Sequence, residues 1–349
     1  MAEFLAAVRS LRATMRGSIL ILLTALAMAE DHHATPSPLA DFPLLTKPRT
    51  VVAQVIADLS VMAPGIQIST TAGAVVLSGR IQIEQGPVDG LEALACLSGG
   101  KSHETCITLD TAAAEVVNLA CKAALGVSDG QPAVESRPIP ARGTPLRVTV
   151  RWLDPDQPDR WLEVDGSCLI RDRLLDRPYP PLPFVYTGSR FESLVVPGPD
   201  GKPMRRDQFM LNATRTVLAV WDEPNALLAS AFPDSWRDRH FEVYSAISPP
   251  RGTPVAVVIR KAELPMAIAM DAEGGLSQAG AALDDDVLGQ LLAKHYSKEA
   301  TPALRALAVN VAATTARERD EVVRQRILTV ASKNKAWVVP VFCLVKSRE

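Results

Sequence analysis

The chain has 349 residues, of which 47% are hydrophobic and 22% are charged. This composition is typical of a globular protein with a large buried core, and the length favours two domains. The 37 basic residues nearly balance the 39 acidic ones, so the chain has no strong positive field that would attract nucleic acid. We therefore expect no nucleic-acid partner.

The N-terminus has the pattern of a secretory signal peptide over residues 1–29. Arg9, Arg12 and Arg16 precede the apolar run GSILILLTALAMA, which is too short to span a bilayer comfortably. The run ends in Ala-Met-Ala, with small residues where a signal peptidase reads them. The pattern predicts cleavage after Ala29, a periplasmic or extracellular location, and no stable membrane span after cleavage. An uncleaved N-terminal anchor is the alternative.

The next part of the chain is predicted to be mainly β. Residues 30–64 are expected to form a proline-bearing linker with a short helix at Val51 to Leu59. Short β-branched segments separated by Gly or Pro then predict strands, in two sets. Between the two sets, an amphipathic helix is predicted from Thr111 to Leu125, with Leu119 on its buried face and Gly126 at its end. The segment VPGPDGKPMRRD is expected to be a long loop.

The pattern changes at Pro265. From there to the C-terminus the segments predict two strands, a helix, a strand, a second helix and a final strand, in the order ββαβαβ. The predicted fold class is therefore α+β. It consists of a mainly antiparallel β domain at 65–262 with one or two helices, followed by a small two-layer ββαβαβ domain at 263–349.

The cysteines are five in number: Cys96, Cys106, Cys121, Cys168 and Cys343. No two have the C-x-x-C or zinc-ribbon spacing, so iron–sulfur ligation and thioredoxin-like chemistry are not indicated, and we predict no cofactor. In an oxidising compartment a disulfide between Cys96 and Cys106 is possible if the intervening loop folds back as a hairpin. The alternative is that all five are small buried apolar residues.

Three separated segments carry a resemblance to a known family. They are EQGPVDGLEALACLSGGKSHETCI, FVYTGSRF and FEVYSAISPPRGTPVAVVI, in that order along the chain. Together they resemble the YdjY-domain family of exported bacterial proteins, over about Gly65 to Lys261. The family has no established reaction, so the resemblance implies a YdjY-like β-rich architecture and an exported location, but no activity.

The segment from Glu263 to the C-terminus is similar to the periplasmic domain of the ExbD/TolR type. LPMAIAMDAEGGLSQAG, followed by a helix, has that group's strand, Asp-x-x-Gly turn and strand. No transmembrane helix with an aspartate comes before this segment. The resemblance therefore implies a fold and an interaction module, and proton-driven energy transduction is not carried over.

The segment GGKSHETC holds the candidate site residues Lys101, His103 and Glu104. Lys101 can hold an anion, and His103 with Glu104 can supply a base or metal ligands. Consecutive residues of a regular strand face opposite ways, however, so His103 and Glu104 cannot both point at one ligand. The favoured interpretation is structural, with Gly99 and Gly100 forming a hairpin turn and Glu104 pairing across the sheet.

The sequence favours a non-catalytic envelope protein that binds another envelope protein or a cell-surface polymer through its β surface. Ser189 lacks the G-x-S-x-G elbow, so a serine hydrolase is not indicated. The alternative is a small metal-binding protein or enzyme centred on Lys101, His103 and Glu104. Metal content of the purified protein separates the two hypotheses.

Cleavage after Ala29 exposes the sequence Glu30-Asp31-His32, which predicts a terminal copper site. The free amine, two backbone amides and the His32 imidazole can enclose one Cu(II) or Ni(II) in a square plane. N-terminal sequencing should begin at Glu30, and a copper titration followed by visible absorption should reach an end point near one equivalent. Cleavage elsewhere, or the same absorption in a His32→Ala variant, would contradict this prediction.

Overall fold

A computed structural model describes residues 49–52, 56–135, 137–197, 199–297 and 305–345. The predicted signal peptide, its cleavage position and His32 lie outside the described residues. Strands contain 41% of the residues and helices 18%, so the structure is mostly β.

The strands of the described residues are numbered in chain order. They are β1 (Thr50–Val52), β2 (Ser60–Ala63), β3 (Ile66–Ser69), β4 (Ala74–Ile81), β5 (Ala93–Cys96), β6 (Thr105–Leu109), β7 (Thr144–Asp154), β8 (Gln157–Asp165), β9 (Ile170–Asp172), β10 (Arg177–Pro178), β11 (Phe184–Tyr186), β12 (Phe191–Pro197), β13 (Pro203–Phe209), β14 (Thr216–Ala219), β15 (Leu228–Ser230), β16 (Phe241–Val243), β17 (Pro254–Lys261), β18 (Ala267–Met270), β19 (Leu276–Gln278), β20 (Ala281–Ala282), β21 (Ala306–Ala312) and β22 (Val339–Val345).

The helices are fewer. They are α1 (Ala114–Leu125), α2 (Leu211–Thr214), α3 (Asp285–Tyr296) and α4 (Glu318–Lys333), with 3-10 turns at Ser102–Glu104 and Gly166–Leu169. Within the described ranges, no helix combines the length and apolar character needed to cross a lipid bilayer.

Eight strands close into a barrel. Around the ring they follow the order β4, β6, β5, β14, β15, β11, β7 and β17, and β17 pairs back to β4. Closure removes the unpaired edges that an open sheet would leave along these strands. The strands β8 and β1 extend the sheet from β7, and β3 and β2 extend it from β4, which makes twelve strands in all.

Both faces of the central strands are buried. Val75 and Leu77 of β4 are fully buried, and Ala74 and Val76, which alternate with them, are buried as well. On the opposite face, Ala74 and Val76 pack with Val258 of β17 and with Ile56. Segments 74–77 and 257–259 are therefore continuous runs of aliphatic residues, because both of their faces are buried.

The C-terminal strands form a second sheet in the order β20-β19-β18-β21-β22. Strand β21 is parallel to both β18 and β22, whereas β19 is antiparallel to both β18 and β20. The helices pack on this sheet through a cluster that includes Leu288 and Leu292 of α3 and Val323 and Ile327 of α4. Asp284 caps α3 by accepting a hydrogen bond from the backbone N–H of Val287 at 2.8 Å.

The predicted α+β class is wrong. The prediction was a mainly antiparallel β domain with one or two helices, followed by a ββαβαβ domain. The structure instead has a closed eight-stranded barrel with extra strands. The sequence pattern marks segments as strands, but closure depends on the pairing of β17 with β4 and β7, which come much earlier in the chain. The parallel pairs β5–β6 and β14–β15 also depart from the antiparallel expectation. All described residues belong to one compact unit, Asp41–Glu349, and a boundary at Glu263 stays a prediction.

Two helix predictions need local correction. The segment expected to be helical from Val51 begins as strand β1, through Val52. The helix predicted from Thr111 begins at Ala114 and ends, as predicted, at Gly126, whose φ is 57°. Its buried face is rotated from the predicted one, because the sheet beneath it decides which side is covered.

The rotation of α1 is visible at single positions. Val117, Ala120 and Cys121 are buried, whereas Leu119 is 56% exposed. A row of alanines on several sides of a helix leaves its apolar face poorly defined in the sequence.

The predicted Cys96–Cys106 disulfide is not formed, and the five cysteines are all free. The loop between them does not return as a hairpin, because β5 and β6 are parallel and Cys96 lies opposite Thr108. Cys106 is thus offset by two residues on the neighbouring strand, a Cα separation of about 8 Å, beyond the reach of a disulfide. Burial raises the pKa of the Cys106 thiol to about 12, as suits the alternative of a small apolar core residue.

A buried ion pair connects the barrel to the C-terminal sheet and helices. Arg142, just before β7, and Asp320, in the first turns of α4, both have fully buried side chains. The Arg142 Nε and Nη2 groups donate to the two carboxylate oxygens at 2.7 Å each. The remaining N–H groups donate to the carbonyls of Thr315 and Ala316 and to the side-chain oxygen of Gln131. All five donors of the guanidinium are therefore used.

We predict that Arg142→Met lowers the free energy of unfolding by about 3–5 kcal/mol, because Asp320 is left as a buried charge without its partner. The matched control is Arg326→Met, which removes a pair of 2.8 Å with Asp285, whose side chain is 62% exposed. That control should cost no more than about 1 kcal/mol. Urea denaturation of the three proteins measures both values, and equal losses would contradict the prediction.

Candidate functional site

The predicted site residues Lys101, His103 and Glu104 lie on the connection between β5 and β6. They occupy the 3-10 turn Ser102–Glu104 and the residue before it. The flanking strands are parallel, so the hairpin turn expected here is wrong and the segment is a crossover. Gly99 has a φ of 78°, in the left-handed region that residues other than glycine rarely adopt, so the turn favours glycine at this position.

Lys101 is paired within the protein. Its Nζ lies 2.6 Å from Oε2 of Glu92 and 3.6 Å from Oε2 of Glu223. Glu223 is only 8% exposed and also accepts a hydrogen bond from the Thr216 hydroxyl. The ammonium group of Lys101 is therefore engaged by carboxylates and is not placed to hold an external anion.

Glu104 completes a group that we call the Lys101 cluster: Lys101, Glu92, Glu104 and Glu223. Burial raises the pKa of the Glu104 carboxyl, and the negative charge of Glu92 raises it further. Burial also raises the pKa of Glu223, which Lys101 partly offsets. For Lys101, burial lowers the pKa, but the hydrogen bond to Glu92 and the nearby negative charges outweigh it, so the pKa is raised. A lysine held in its charged form cannot act as a base.

His103 does not join the Lys101 cluster in a metal-binding geometry. Its side chain is 77% exposed, and its Nε2 lies 3.6 Å from Oε1 of Glu104. The three predicted residues are thus near one another, but only Lys101 and Glu104 belong to the same partly buried group.

A second group, which we call the His240 cluster, was not singled out from the sequence. It consists of Asp172, Asp234 and His240, all buried. Asp172 ends β9, and His240 immediately precedes β16, which pairs with β9. The His240 Nε2 lies 2.8 Å from Oδ2 of Asp172, and one ligand atom from each of the three residues lies within 4.8 Å of the others.

The sequence contained only a weak signal for the His240 cluster. His240 was noted as a histidine before a strand, while Asp172 and Asp234 lie in the charged segments RDRLLD and DSWRDRH beside strand ends. Charged residues at strand ends are common in solvated loops. Only the pairing of β9 with β16, which joins residues far apart in the chain, brings these side chains together.

The hairpin β12–β13 is the most exposed strand element. Its two strands form a sheet of their own, and among the described residues they pair with no other strand. Phe191 is 69%, Val195 66% and Met204 44% exposed. Part of this hairpin was predicted to be a long loop, because the Pro-Gly-Pro-Asp-Gly turn conceals the strands on either side of it.

The two strands of this hairpin differ in composition. β13 has the consecutive charged residues Arg205, Arg206 and Asp207. β12, with the sequence FESLVVP, carries only Glu192 near its start. Charged side chains protect an edge strand against pairing with other chains, so β13 is protected and the Ser-Leu-Val-Val interior of β12 is not.

We predict that Lys101→Met destabilises the protein by about 1–2 kcal/mol at pH 7.5, a range reduced for partial exposure. Loss of the cation raises the pKa values of Glu104 and Glu223 still further, since Lys101 lowers both. A carboxyl group whose pKa is raised in the folded state stabilises the protein at pH values below its ordinary pKa of 4.5. This contribution is lost as the pH rises through the folded-state pKa. The difference between variant and wild type should therefore shrink at pH 4.

Urea denaturation at pH 4 and pH 7.5 measures this difference. The matched control is Lys122→Met, which removes an exposed pair of 2.9 Å with Asp129 and should show little pH dependence. His103→Ala should leave stability unchanged, because its ring is mostly exposed. A Lys101→Met loss of the same size at both pH values would contradict the electrostatic account.

No protein-family model, no curated protein and no solved structure matches this chain. The resemblances to the YdjY-domain family and to the ExbD/TolR periplasmic domain stay predictions from the sequence. The function must therefore be argued from the chemistry of the described residues.

Proposed function

We propose that the protein is a non-catalytic binding protein whose β12–β13 hairpin takes an extended segment of a partner protein by strand addition. The observation that carries the proposal is the unprotected edge of β12, beside exposed apolar side chains. In strand addition, main-chain hydrogen bonds supply affinity and alternate side chains supply specificity.

The base of the hairpin is well anchored. Phe209 is 4% exposed, and its ring lies 5.0 Å from the ring of Phe191. The pairing continues without a register shift from Phe191 opposite Phe209 to Pro197 opposite Pro203. An isolated two-stranded hairpin is marginally stable in water, so a third strand supplied by a partner would stabilise the outer part.

The side chains around β12 indicate the chemistry of the partner. Val195 lies opposite Arg205, and Leu194 lies opposite Arg206. Both arginines are exposed. An apolar extended segment that also carries carboxylates would cover the apolar side chains and face these cations. An exported envelope protein would be such a partner if the predicted signal peptide is cleaved.

The alternative of an enzyme or metal-binding protein centred on Lys101, His103 and Glu104 has less support. Lys101 is held by Glu92, and His103 is exposed and away from the other carboxylates. The arrangement serves to neutralise buried carboxylates at the β5–β6 crossover.

The test is selection of peptides from a displayed library of extended sequences on the immobilised protein. We expect enriched peptides that bind at least tenfold more weakly to Val195→Lys, because a lysine on an edge strand opposes pairing. The matched control is Met204→Lys, an equally large change on β13, which should retain binding. Peptides that bind both variants equally, or no enrichment at all, would contradict the proposal.

Backbone methylation tests the binding mode separately. In an added strand, alternate N–H groups of the peptide bond the edge and the others face away. N-methylation of one alternate set should abolish binding, and methylation of the other set should be tolerated. Equal tolerance of both sets would rule out strand addition even if the peptides bind the hairpin.

A further inference from the structure

Hydrogen bonds fix the orientation of the Asp172 carboxylate in the His240 cluster. The Oδ1 atom of Asp172 accepts backbone hydrogen bonds from Leu174 and Leu175, both at 2.9 Å, while its Oδ2 faces His240. Arg237 lies with its Nε 3.1 Å from Oδ1 of Asp234. Hydrogen bonds such as those to Asp172 orient the ligating atoms of metal sites.

A buried hydroxyl without a partner lies beside this cluster. Tyr179 is fully buried, and its hydroxyl makes no hydrogen bond to any described residue. Its ring stacks on the ring of Phe232, two residues before Asp234, with centroids 4.2 Å apart, and it lies 5.7 Å from the ring of Phe241, which directly follows His240. Burial raises the pKa of the Tyr179 hydroxyl, and the negative charges of Asp234 and Asp172 raise it further.

The unpartnered hydroxyl suggests that something is bound there. Buried polar groups are almost always hydrogen-bonded, and an orphan indicates an additional group at the site, such as an ion with its water. A protein-only explanation covers the ion pairs of Asp172 with His240 and of Asp234 with Arg237, but it leaves Tyr179 without a partner.

The separations of the ligand atoms suit a transition metal. Bonds of 2.0–2.1 Å in a tetrahedral site place neighbouring ligand atoms about 3.3 Å apart. The His240 Nε2 and Asp172 Oδ2 atoms, now 2.8 Å apart, need to separate by roughly 0.5 Å, and the three residues each offer one ligand atom within 4.8 Å of the others.

We propose that His240, Asp172 and Asp234 bind one divalent first-row transition-metal ion of the zinc type. The imidazole nitrogen and two carboxylate oxygens are three ligands of the kinds that such ions take. A water completes the tetrahedron, and the Tyr179 hydroxyl hydrogen-bonds to that water. The site is independent of the β12–β13 hairpin, and it is formed where the small sheet of β10, β9 and β16 meets the loop before β16.

The experiment uses the full chain with its other four histidines, His32, His33, His103 and His295, replaced by alanine, so that His240 is the sole imidazole and the predicted terminal copper site is removed. We expect about one zinc ion per chain after removal of excess metal, and an X-ray absorption spectrum of the bound zinc that shows imidazole scattering. Oxygen donors should fill the other positions. A metal-free protein, or bound zinc without imidazole scattering, would overturn the proposal.

The variant Asp234→Asn keeps the shape of the side chain and removes its charge. Competition with a chromophoric chelator should show zinc binding weakened by more than about 100-fold, since even outer-shell changes cost 10–100-fold. The matched control Asp129→Asn, which alters an exposed partner of Lys122, should bind zinc as before. Unchanged affinity in Asp234→Asn would overturn the assignment of this ligand.

A thermal melt distinguishes the loss of a zinc ligand in Asp234→Asn from a general loss of folding. Zinc in excess should raise the melting temperature of the parent protein, because it binds the folded state alone. It should leave that of Asp234→Asn unchanged while both proteins show the same circular dichroism. If the variant is unfolded, the imidazole scattering from the parent protein still decides the proposal.

Discussion

The buried pair of Arg142 with Asp320 is the interaction on which the arrangement of the chain depends. Both side chains are fully buried, so neither charge has water to solvate it. The guanidinium is fully hydrogen-bonded only when the start of α4 and the segment before β7 are both in place. Burial raises the pKa of Asp320, and the hydrogen bonds and charge of Arg142 oppose this rise, so desolvation of the carboxylate offsets part of the attraction between the two groups.

Closure of the barrel determines where other molecules can bind. Because the eight ring strands pair on both sides, their backbone groups are not open to a partner strand. The exposed hairpin β12–β13 lies outside this ring and keeps an unprotected edge. The proposed strand addition would therefore use an element that contributes no strand to the closed ring.

The two charged clusters differ in what they leave unsatisfied. In the Lys101 cluster the cation is bonded to Glu92 and close to Glu223. Burial raises the pKa of Glu223, which favours its neutral form. In the His240 cluster the ionic groups are also paired, yet a fully buried phenol beside them has no partner. The first cluster is complete with protein atoms alone, whereas the second is explained better with a bound ion.

The sequence by itself determined the local features. It identified strands from their β-branched runs and the end of α1 at Gly126, and it left the cysteines open between a disulfide and buried apolar residues. Local chemistry is sufficient for these, because propensity and turn conformation involve neighbouring residues. Only the tertiary structure decided the closure of the barrel, the parallel pairing of β5 with β6, and the meeting of Asp172 with His240. These depend on which strands pair across long separations, and alternation of apolar and polar residues carries no information about the partner of a strand.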